Sequence, residues 1–417
     1  MGSSDADRAL LFRLYRAAVD AVQPARCVPA HIPSRPKGRT VVVGAGKAAA
    51  AMAQAFERHF DGPLEGLVIT RDGYAVPTER IEVVQAAHPV PDARGRQAAL
   101  RILDLARGLG EDDLLVCLLS GGGSALLVAP AEGLALEDKQ AVTAALLRAG
   151  APIQHLNTVR KHLSATKGGR LALAAAPARI LTLAISDIVG DDPTIIASGP
   201  TVADPTTPAD ALALLQRYGV AMPDAVRRHL ESAAADTPAE VPAGAYVIAA
   251  RPLDALAAAA AQARLEGLEP ILLGDAVEGE ARDVACTHVD MARRRLGGNG
   301  PAVILSGGEL TVSVRGQGQG GPNQEYALAM ALALDGCAGI SALAADTDGV
   351  DGVGEAAGAF VDPTTPVRAR AAGVDLGAAL ADNDSNGAFA RLGDLLVTPP
   401  TLTNVNDFRA IIVRPST

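Results

Sequence analysis

The stretch VVVGAGKAAAAMA, Val41–Ala53, decides the fold class of this chain. An apolar, β-branched run leads directly into a turn that contains Gly44 and Gly46, and Lys47 then opens an alanine-rich helical run. Glycines between a strand and a helix let the backbone approach an anion closely, and the helix start supplies free N–H groups. A lysine at a helix start is unfavourable unless an anion lies beside it, so Lys47 favours a phosphate over tight helix–strand packing alone.

The same succession of strand and helix continues on both sides of this stretch. The predicted strands are Arg39–Val43, Gly66–Thr70, Ile81–Ala86, Asp113–Leu119 and Ala178–Ile185. The predicted helices between them include Lys47–Phe60, Ala93–Gly108 and Glu137–Ala149. This alternation is typical of an α/β protein with a mostly parallel sheet and helices on both of its faces.

The composition changes at residues 231–244, ESAAADTPAEVPAG, which is rich in Ala and Pro and has no apolar period. This segment predicts a linker, and a second α/β series begins at Tyr246. We therefore expect two domains. Residues 1–236 would form a Rossmann-like domain, which residues 385–417 could rejoin, and residues 237–384 would form a smaller α/β domain.

The composition excludes several classes of function. With a net charge of −10, the chain lacks the positive electrostatic field that would attract nucleic acid or anionic membranes. With 3% aromatic residues and no Trp, it also offers few faces on which bases could stack. No apolar run reaches the length of about 18 residues that a membrane span needs. The N-terminus lacks the features of a signal peptide, so the cytoplasm is the expected location. The sequence does not decide between a monomer and a homodimer.

Two further strand-to-glycine segments predict anion binding. In LLSGGGSALLVAP, an apolar run ends in Gly121, Gly122, Gly123 and Ser124, where successive N–H groups can form a nest for an anion. The segment ILSGGEL repeats this design later in the chain. Its members are Gly307, Gly308 and Glu309, and Asn323 opens a helix shortly afterwards.

Charged residues cluster in two segments. Arg160 and Lys161 begin a group of cations in NTVRKHLSATKGGRLA, which is either a solvated helix face or a cluster for a carboxylate or phosphate. In SDIVGDDPT, Asp187 follows a predicted strand, and Asp191 and Asp192 follow in a Gly/Pro loop. These carboxylates, like Asp346 in DTDGVDG, could bind Mg²⁺, accept a hydroxyl proton or form a turn.

Taken together, the motifs resemble the class II, or MOFRL-type, glycerate kinases from about residue 8 to residue 414. The segments that carry the resemblance are GAGKAA, HPVPD, LSGGGSAL, NTVRKHLSATKGGRLA, SDIVGDDPTIIASGPTVADPTT, SGGE, GGPNQE, DTDGVDG and TNVNDFRAIIV. The resemblance implies magnesium-dependent transfer of the ATP γ-phosphate to the 2-hydroxyl of D-glycerate, in a cleft between the two domains. Gln319 and Pro322 stand where many members have arginines.

With that activity, each candidate residue has an expected role. The loops Gly121–Ser124 and Gly307–Gly308, together with Gly44, Gly46, Glu309 and Asn323, would hold nucleotide phosphates. The other expected roles are charge stabilisation at the transferring group by Lys47, orientation or deprotonation of the hydroxyl by Asp187 or Asp192, Mg²⁺ binding by Asp191 or Asp346, and binding of the substrate carboxylate by Arg160 and Lys161.

Two alternative functions come from other classes. Family members have carried the label hydroxypyruvate reductase, and an NAD(P)-dependent reductase would use Gly44–Gly46 with Asp72 as the ribose-binding acid. A dinucleotide fingerprint would explain only one of the glycine loops, however. A sugar-acid or nucleotide sensor without catalysis would not require so many carboxylates beside glycine loops.

Overall fold

A computed structural model describes residues 3–242, 244–352 and 354–415, and these form two compact units. The Rossmann-like unit is Pro24–Ala250, and the mixed-sheet unit is Met1–Gln23 together with Arg251–Thr417. The strands are β1 Thr40–Ala45, β2 Glu65–Arg71, β3 Ile81–Ala86, β4 Leu114–Leu119, β5 Arg179–Ile185, β6 Gly244–Ala250, β7 Glu269–Gly274, β8 Gly279–Glu280, β9 Ala302–Ser306, β10 Leu310–Thr311, β11 Ile340–Asp346, β12 Ala356–Val361, β13 Leu395–Val397 and β14 Asp407–Val413.

The α-helices are distributed between the strands of both units. They are α1 Ser3–Ala21, α2 Pro24–Cys27, α3 Ala49–His59, α4 Ala93–Arg107, α5 Gly123–Leu126, α6 Leu136–Arg148, α7 Ile153–His162, α8 Arg170–Ala175, α9 Pro208–Arg217, α10 Asp224–Leu230, α11 Pro252–Leu265, α12 Ala281–Arg295, α13 Pro322–Leu334, α14 Thr365–Ala371, α15 Leu376–Ala381 and α16 Ser385–Leu392. Short 3₁₀ turns lie at Pro29–His31, Ile196–Ser198 and Ala233–Ala235. None of the helices in the described part of the chain has the length and apolarity to cross a membrane.

The Rossmann-like unit is built on a parallel six-stranded sheet with the order β3-β2-β1-β4-β5-β6. Every residue of β1 and β4 is buried, because helices cover both faces of the sheet and leave no polar side for alternation. The order reverses between β1 and β4, and open α/β sheets bind ligands at the carboxyl ends of strands beside such a reversal. The predicted α/β class and parallel sheet are confirmed.

The mixed-sheet unit has the strand order β13-β12-β11-β14-β9-β7. In this sheet β7 and β9 pair in parallel and the other neighbouring strands are antiparallel, while β8 and β10 form a separate two-stranded parallel sheet. Helix α1 packs on α11, β11 and β14 of this unit through an apolar stripe that includes Leu11, Leu14 and Ala18. Burial of each leucine contributes roughly 1.5–3 kcal/mol, which holds the N-terminal helix on a sheet formed more than 200 residues later.

The boundaries differ from the predicted ones in several places. Helix α1, predicted within the first domain, belongs to the mixed-sheet unit. Strand β6 pairs with β5, so the Rossmann-like unit extends to Ala250 and not to residue 236. The predicted linker is anchored in that unit, where Arg170 donates hydrogen bonds to the carbonyl oxygens of Ala235 and Asp236. Residues 385–417 do not rejoin the first domain, because β14 lies between β11 and β9 of the second sheet.

Candidate functional site

The loops after β1 and β4 are hydrogen-bonded to each other at the carboxyl edge of the parallel sheet. The Lys47 N–H donates to the Gly121 carbonyl at 2.8 Å, and the Ala48 N–H donates to Ser120 Oγ at 3.0 Å. A side chain on Gly44 would collide with the Leu118 backbone, and one on Gly46 would collide with Ser120. These two glycines are therefore required for close packing of the loops, and the space beside them is filled by protein.

In the loop after β4, Gly122 lies beside two candidate catalytic side chains. It has φ +80°, in the left-handed region that favours glycine. A Cβ at this position would lie 2.9 Å from Nε2 of His88 and 3.5 Å from Cγ of Lys47. The loop thus brings Lys47 and His88 together over glycine backbone, an arrangement suited to a phosphoryl group. His88 belongs to the HPVPD segment, to which no role is assigned from the sequence.

The other members of this loop have structural neighbours. A Cβ on Gly123 would lie 2.8 Å from the Ala45 carbonyl oxygen, so Gly123 also permits close packing. Ser124 Oγ lies 2.8 Å from Ser198 Oγ, which in turn donates to Asn157 Oδ1 at 3.2 Å. This hydrogen-bonded chain connects the glycine loop after β4 to α7 and to the 3₁₀ turn Ile196–Ser198.

The aspartates of SDIVGDDPT lie at the same edge of the sheet. Asp187 follows the end of β5, where the preceding Ser186 N–H donates to the Ala250 carbonyl at 2.9 Å and fixes the backbone. Asp191 is half-buried with φ +54°, and Asp192 is exposed and accepts from the Thr194 N–H at 2.8 Å. Since β1, β4 and β5 are neighbours and strands lie about 4.8 Å apart, Asp187 begins roughly 10 Å across the edge from the β1 loop.

Lys161 is buried in an ion pair within the Rossmann-like unit. It is 5% exposed, and its Nζ lies 3.1 Å from Oδ1 of Asp204, which is also buried. Asp204 accepts further hydrogen bonds from the N–H and the hydroxyl of Thr206. The charge of this lysine is compensated by Asp204 inside the unit, so the proposals below do not use Lys161 at the substrate.

Three other cations line a cavity of about 480 Å³ in the Rossmann-like unit. Lys139 and Lys167 are buried and donate to the carbonyl oxygens of Leu163, at 2.9 Å, and Ser124, at 2.7 Å. Burial lowers the pKa of Lys139 to about 7, and positive neighbours add to this effect. Burial and the nearby Lys139 and Arg160 place the pKa of Lys167 well below its ordinary range. Burial also lowers the pKa of Arg160.

The candidate residues of the mixed-sheet unit surround the loop after β9. Gly307 and Gly308 are buried, and a side chain on Gly308 would collide with the Val277 backbone. Glu309 is exposed beside them. Asp346 ends β11, and its Oδ1 accepts a hydrogen bond from the Asp348 N–H at 2.8 Å.

Asn323 belongs to a buried network and is not exposed to solvent. Its Nδ2 donates to Asp407 Oδ1 at 2.6 Å and to Asp351 Oδ1 at 3.3 Å, so it joins two buried carboxyl groups. Burial raises the pKa of Asp351 to about 7, and burial also raises the pKa of Asp407 although Arg409 lies 2.9 Å away. Arg409 also donates to the Gly307 carbonyl, which ties the glycine loop to this network.

Sequence reasoning missed several residues of these clusters. Lys139 lies on α6, outside the quoted cation motif, and only its position one turn after Leu136 on a helix could have marked it as buried. Lys167 was counted among the cations but not assigned a role. Asp351 lies in DTDGVDG and Asp407 in TNVNDFRAIIV, but a pair of carboxyl groups that are buried together leaves no sequence pattern.

The comparisons with known proteins cover almost the whole chain. A family model described as a domain of unknown function (DUF4147) matches residues 10–231, and one described as the MOFRL family matches residues 302–407. A protein of Agrobacterium vitis, provisionally named a hydroxypyruvate reductase, is 52% identical over 97% of this chain and 94% of its own length. The D-glycerate 2-kinase of Thermotoga maritima is 38% identical over 95% of this chain and 96% of its own length.

The chain belongs to the MOFRL-type glycerate kinase family. A crystal structure of the glycerate kinase of Thermotoga maritima matches the fold of this family member with a TM-score of 0.89. That match has 36% sequence identity and covers 98% of this chain and 100% of the other. The resemblance inferred from the sequence motifs is thereby confirmed, while the roles of the single residues and the shared cleft between the units stay predictions.

Proposed function

We propose that this glycerate kinase family member transfers the γ-phosphoryl group of ATP to the 2-hydroxyl of D-glycerate, giving ADP and 2-phosphoglycerate. The observation that carries the proposal is the identity of 38% to a D-glycerate 2-kinase over 95% of the chain. The placement of Lys47, Gly122 and Asp187 at the carboxyl ends of three neighbouring strands supports it, since phosphoryl transfer depends on positioning and charge neutralisation.

In the proposed reaction the glycerate 2-hydroxyl oxygen forms a bond to the γ-phosphorus, and the bond between that phosphorus and the β–γ bridging oxygen breaks. Lys47, beside Gly122, stabilises negative charge on the transferring group. Asp187 receives the hydroxyl proton. We favour Asp187 over Asp192 because the β5–β6 pairing fixes its backbone, whereas Asp192 is exposed and accepts a turn hydrogen bond.

Magnesium is the metal that the activity implies, and it would neutralise charge on the nucleotide phosphates. Asp191 or Asp346 would provide a protein ligand. Mg²⁺ commonly takes one or two carboxylates together with phosphate oxygens and waters. Among the residues that the structure describes, no three His, Cys, Asp or Glu side chains are grouped as a metal site.

The reductase alternative receives less support from the geometry. The carboxylate of Asp72, which would bind the nicotinamide ribose, accepts two hydrogen bonds from Arg94, both at 2.8 Å. The space beside Gly46, where a dinucleotide backbone would approach, is taken by Ser120. The name hydroxypyruvate reductase of the relative from Agrobacterium vitis therefore has no counterpart in these residues.

One pair of assays decides between the two activities. Purified protein is incubated with D-glycerate, ATP and Mg²⁺ while ADP release is followed, and separately with hydroxypyruvate and NADH or NADPH while absorbance at the nicotinamide band is followed. We expect ADP release that requires D-glycerate and Mg²⁺. Oxidation of NADH or NADPH by hydroxypyruvate without ADP release in the first assay would refute the proposal.

A further inference from the structure

The cavity of about 480 Å³ in the Rossmann-like unit has an uneven distribution of polarity. One part of its wall carries Lys139, Arg160 and Lys167, and no acidic side chain belongs to the described residues that line it. Most of the remaining wall is apolar and is formed by the Pro89–Pro91 loop and by Val128, Leu136 and Leu147. A ligand that matches this cavity must combine negative charge with an apolar body.

Within the described part of the unit, no carboxylate pairs with the three basic side chains of the cavity. Lys139 and Lys167 donate to carbonyl oxygens and not to carboxylates. No hydrogen bond or ion pair to Arg160 occurs among the described residues, although other cations of the unit have such partners, as Lys161 has in Asp204. Burying cations beside one another is costly unless an anion compensates them, which points to a negatively charged ligand.

The number of cations and the size of the cavity narrow the choice of anion. Glycerate carries one negative charge, whereas a nucleoside diphosphate carries about three near neutral pH, enough to hold all three basic side chains in their protonated form when it is bound. The volume lies within the range of about 300–1,000 Å³ that pockets for drug-sized ligands occupy. A compound as small and polar as phosphoglycerate would leave most of the apolar wall without a partner.

The cavity also adjoins the glycine loop after β4. Ser124 and Ala125, which directly follow the glycines, belong to its wall, and Lys167 Nζ donates to the Ser124 carbonyl. The loop after β3 contributes Pro89, the residue next to His88, whose ring faces Gly122. A phosphate chain that begins at the cations would therefore continue toward Lys47 and Gly122.

We propose that this cavity is the nucleotide subsite, with the α- and β-phosphates held by Arg160, Lys139 and Lys167 and the purine packed against the wall formed by Pro89, Leu136 and Leu147. This assignment rests on the proposed use of ATP. It moves Arg160 from the substrate carboxylate, its expected partner from the sequence, to the nucleotide phosphates. Gln140 and Thr143, which also line the cavity, provide polar groups near the base and ribose.

The test measures the dissociation constant of ADP by isothermal titration calorimetry, without glycerate, so that no turnover is needed. Arg160→Met should weaken ADP binding about 10- to 100-fold, the usual effect of losing a hydrogen bond to a charged group. Arg148→Met is the matched control, because Arg148 is exposed on the same α6 helix as Lys139 and does not line the cavity. Equal dissociation constants for the two variants would overturn the assignment.

A second variant tests the position of the purine. Ala144 is exposed at the rim of the cavity, so Ala144→Trp should fold normally and narrow the apolar part. It should weaken ADP binding while leaving inorganic pyrophosphate, which lacks the purine, unaffected. Unchanged ADP binding in Ala144→Trp would place the base elsewhere and refute the subsite. The subsite would also be refuted if Arg160→Met weakened the binding of 2-phosphoglycerate but left the binding of ADP unchanged.

The same data separate this inference from the proposed function. If the enzyme forms ADP from ATP and D-glycerate but Arg160→Met binds ADP as the unchanged protein does, the kinase assignment stands and the subsite is wrong. If ADP binding depends on Arg160 and Ala144 but no phosphoryl transfer occurs with D-glycerate, the subsite stands and the proposed function is wrong.

Discussion

Replacement of Lys139 by Met should change how the stability of the protein depends on pH. The ordinary lysine pKa of 10.5 applies to the unfolded chain, and burial lowers the pKa of Lys139 to about 7 in the fold. Between these two values the unfolded chain binds more protons, so the free energy of unfolding rises with pH. Below pH 7 the folded protein carries the full cost of a buried charge next to Arg160 and Arg170.

The size of this effect follows from the two pKa values. One titrating group changes the free energy of unfolding by at most about 1.4 kcal/mol per pH unit. Between pH 7 and pH 9 the Lys139 contribution should therefore change by about 2 kcal/mol. Lys139→Met removes this contribution. The free energy of unfolding of the variant should therefore exceed that of the unchanged protein at pH 7, and this excess should be about 2 kcal/mol smaller at pH 9. Loss of the hydrogen bond to Leu163 subtracts about 1 kcal/mol at both pH values.

Urea unfolding followed by circular dichroism at pH 7, 8 and 9 measures this difference. Lys37→Met serves as the control for loss of a lysine, because the Lys37 side chain is 89% exposed. The stability difference between Lys139→Met and the unchanged protein should fall steadily over this range, while that for Lys37→Met should not follow it. A Lys139→Met difference that is constant from pH 7 to pH 9 would refute the argument that burial without a compensating carboxylate lowers the pKa of Lys139.

Three further substitutions test the proposed roles of single residues. Lys47→Met should lower kcat by at least about 100-fold without lowering the melting temperature, and a kcat within a few-fold of normal would remove Lys47 from the transferring phosphate. Asp187→Asn should lower kcat by about 10²–10⁴-fold. If raising Mg²⁺ restores that kcat, Asp187 is a metal ligand and not the base. Asp204→Asn should cost about 3–5 kcal/mol of stability by leaving buried Lys161 without its carboxylate, and an unfolding free energy near normal would contradict this.

Much of the fold could be predicted because strands such as β4, LLVCLL, are continuous apolar runs and the loops that follow them are rich in glycine. Ile81–Ala86 has the predicted bounds, and β4 and β5 each begin one residue later than predicted. The division of the chain could not be predicted, because it depends on long-range pairing. Nothing local in Gly244–Ala250 shows that it adds to β5, and nothing in Ser3–Ala21 shows that it covers the second sheet.

The candidate site was predictable where a motif places a residue at a strand end. Lys47, Gly122 and Asp187 follow β1, β4 and β5, as the strand-then-loop pattern indicates. The roles of the cations were not predictable in this way. Lys161 and Arg160 are adjacent in sequence, yet one is paired with Asp204 and the other lines the cavity, since successive helical positions point about 100° apart.

The position of the new phosphate on glycerate tests the central claim most directly. D-glycerate, ATP and Mg²⁺ are incubated with the protein, and the product is examined by ³¹P and ¹H nuclear magnetic resonance. The account predicts coupling of the phosphorus to the proton on C2, which identifies 2-phosphoglycerate, with one ADP formed for each product molecule. A product with coupling to the two protons on C3, or no phosphorylated product while hydroxypyruvate is reduced by NADH, would contradict it.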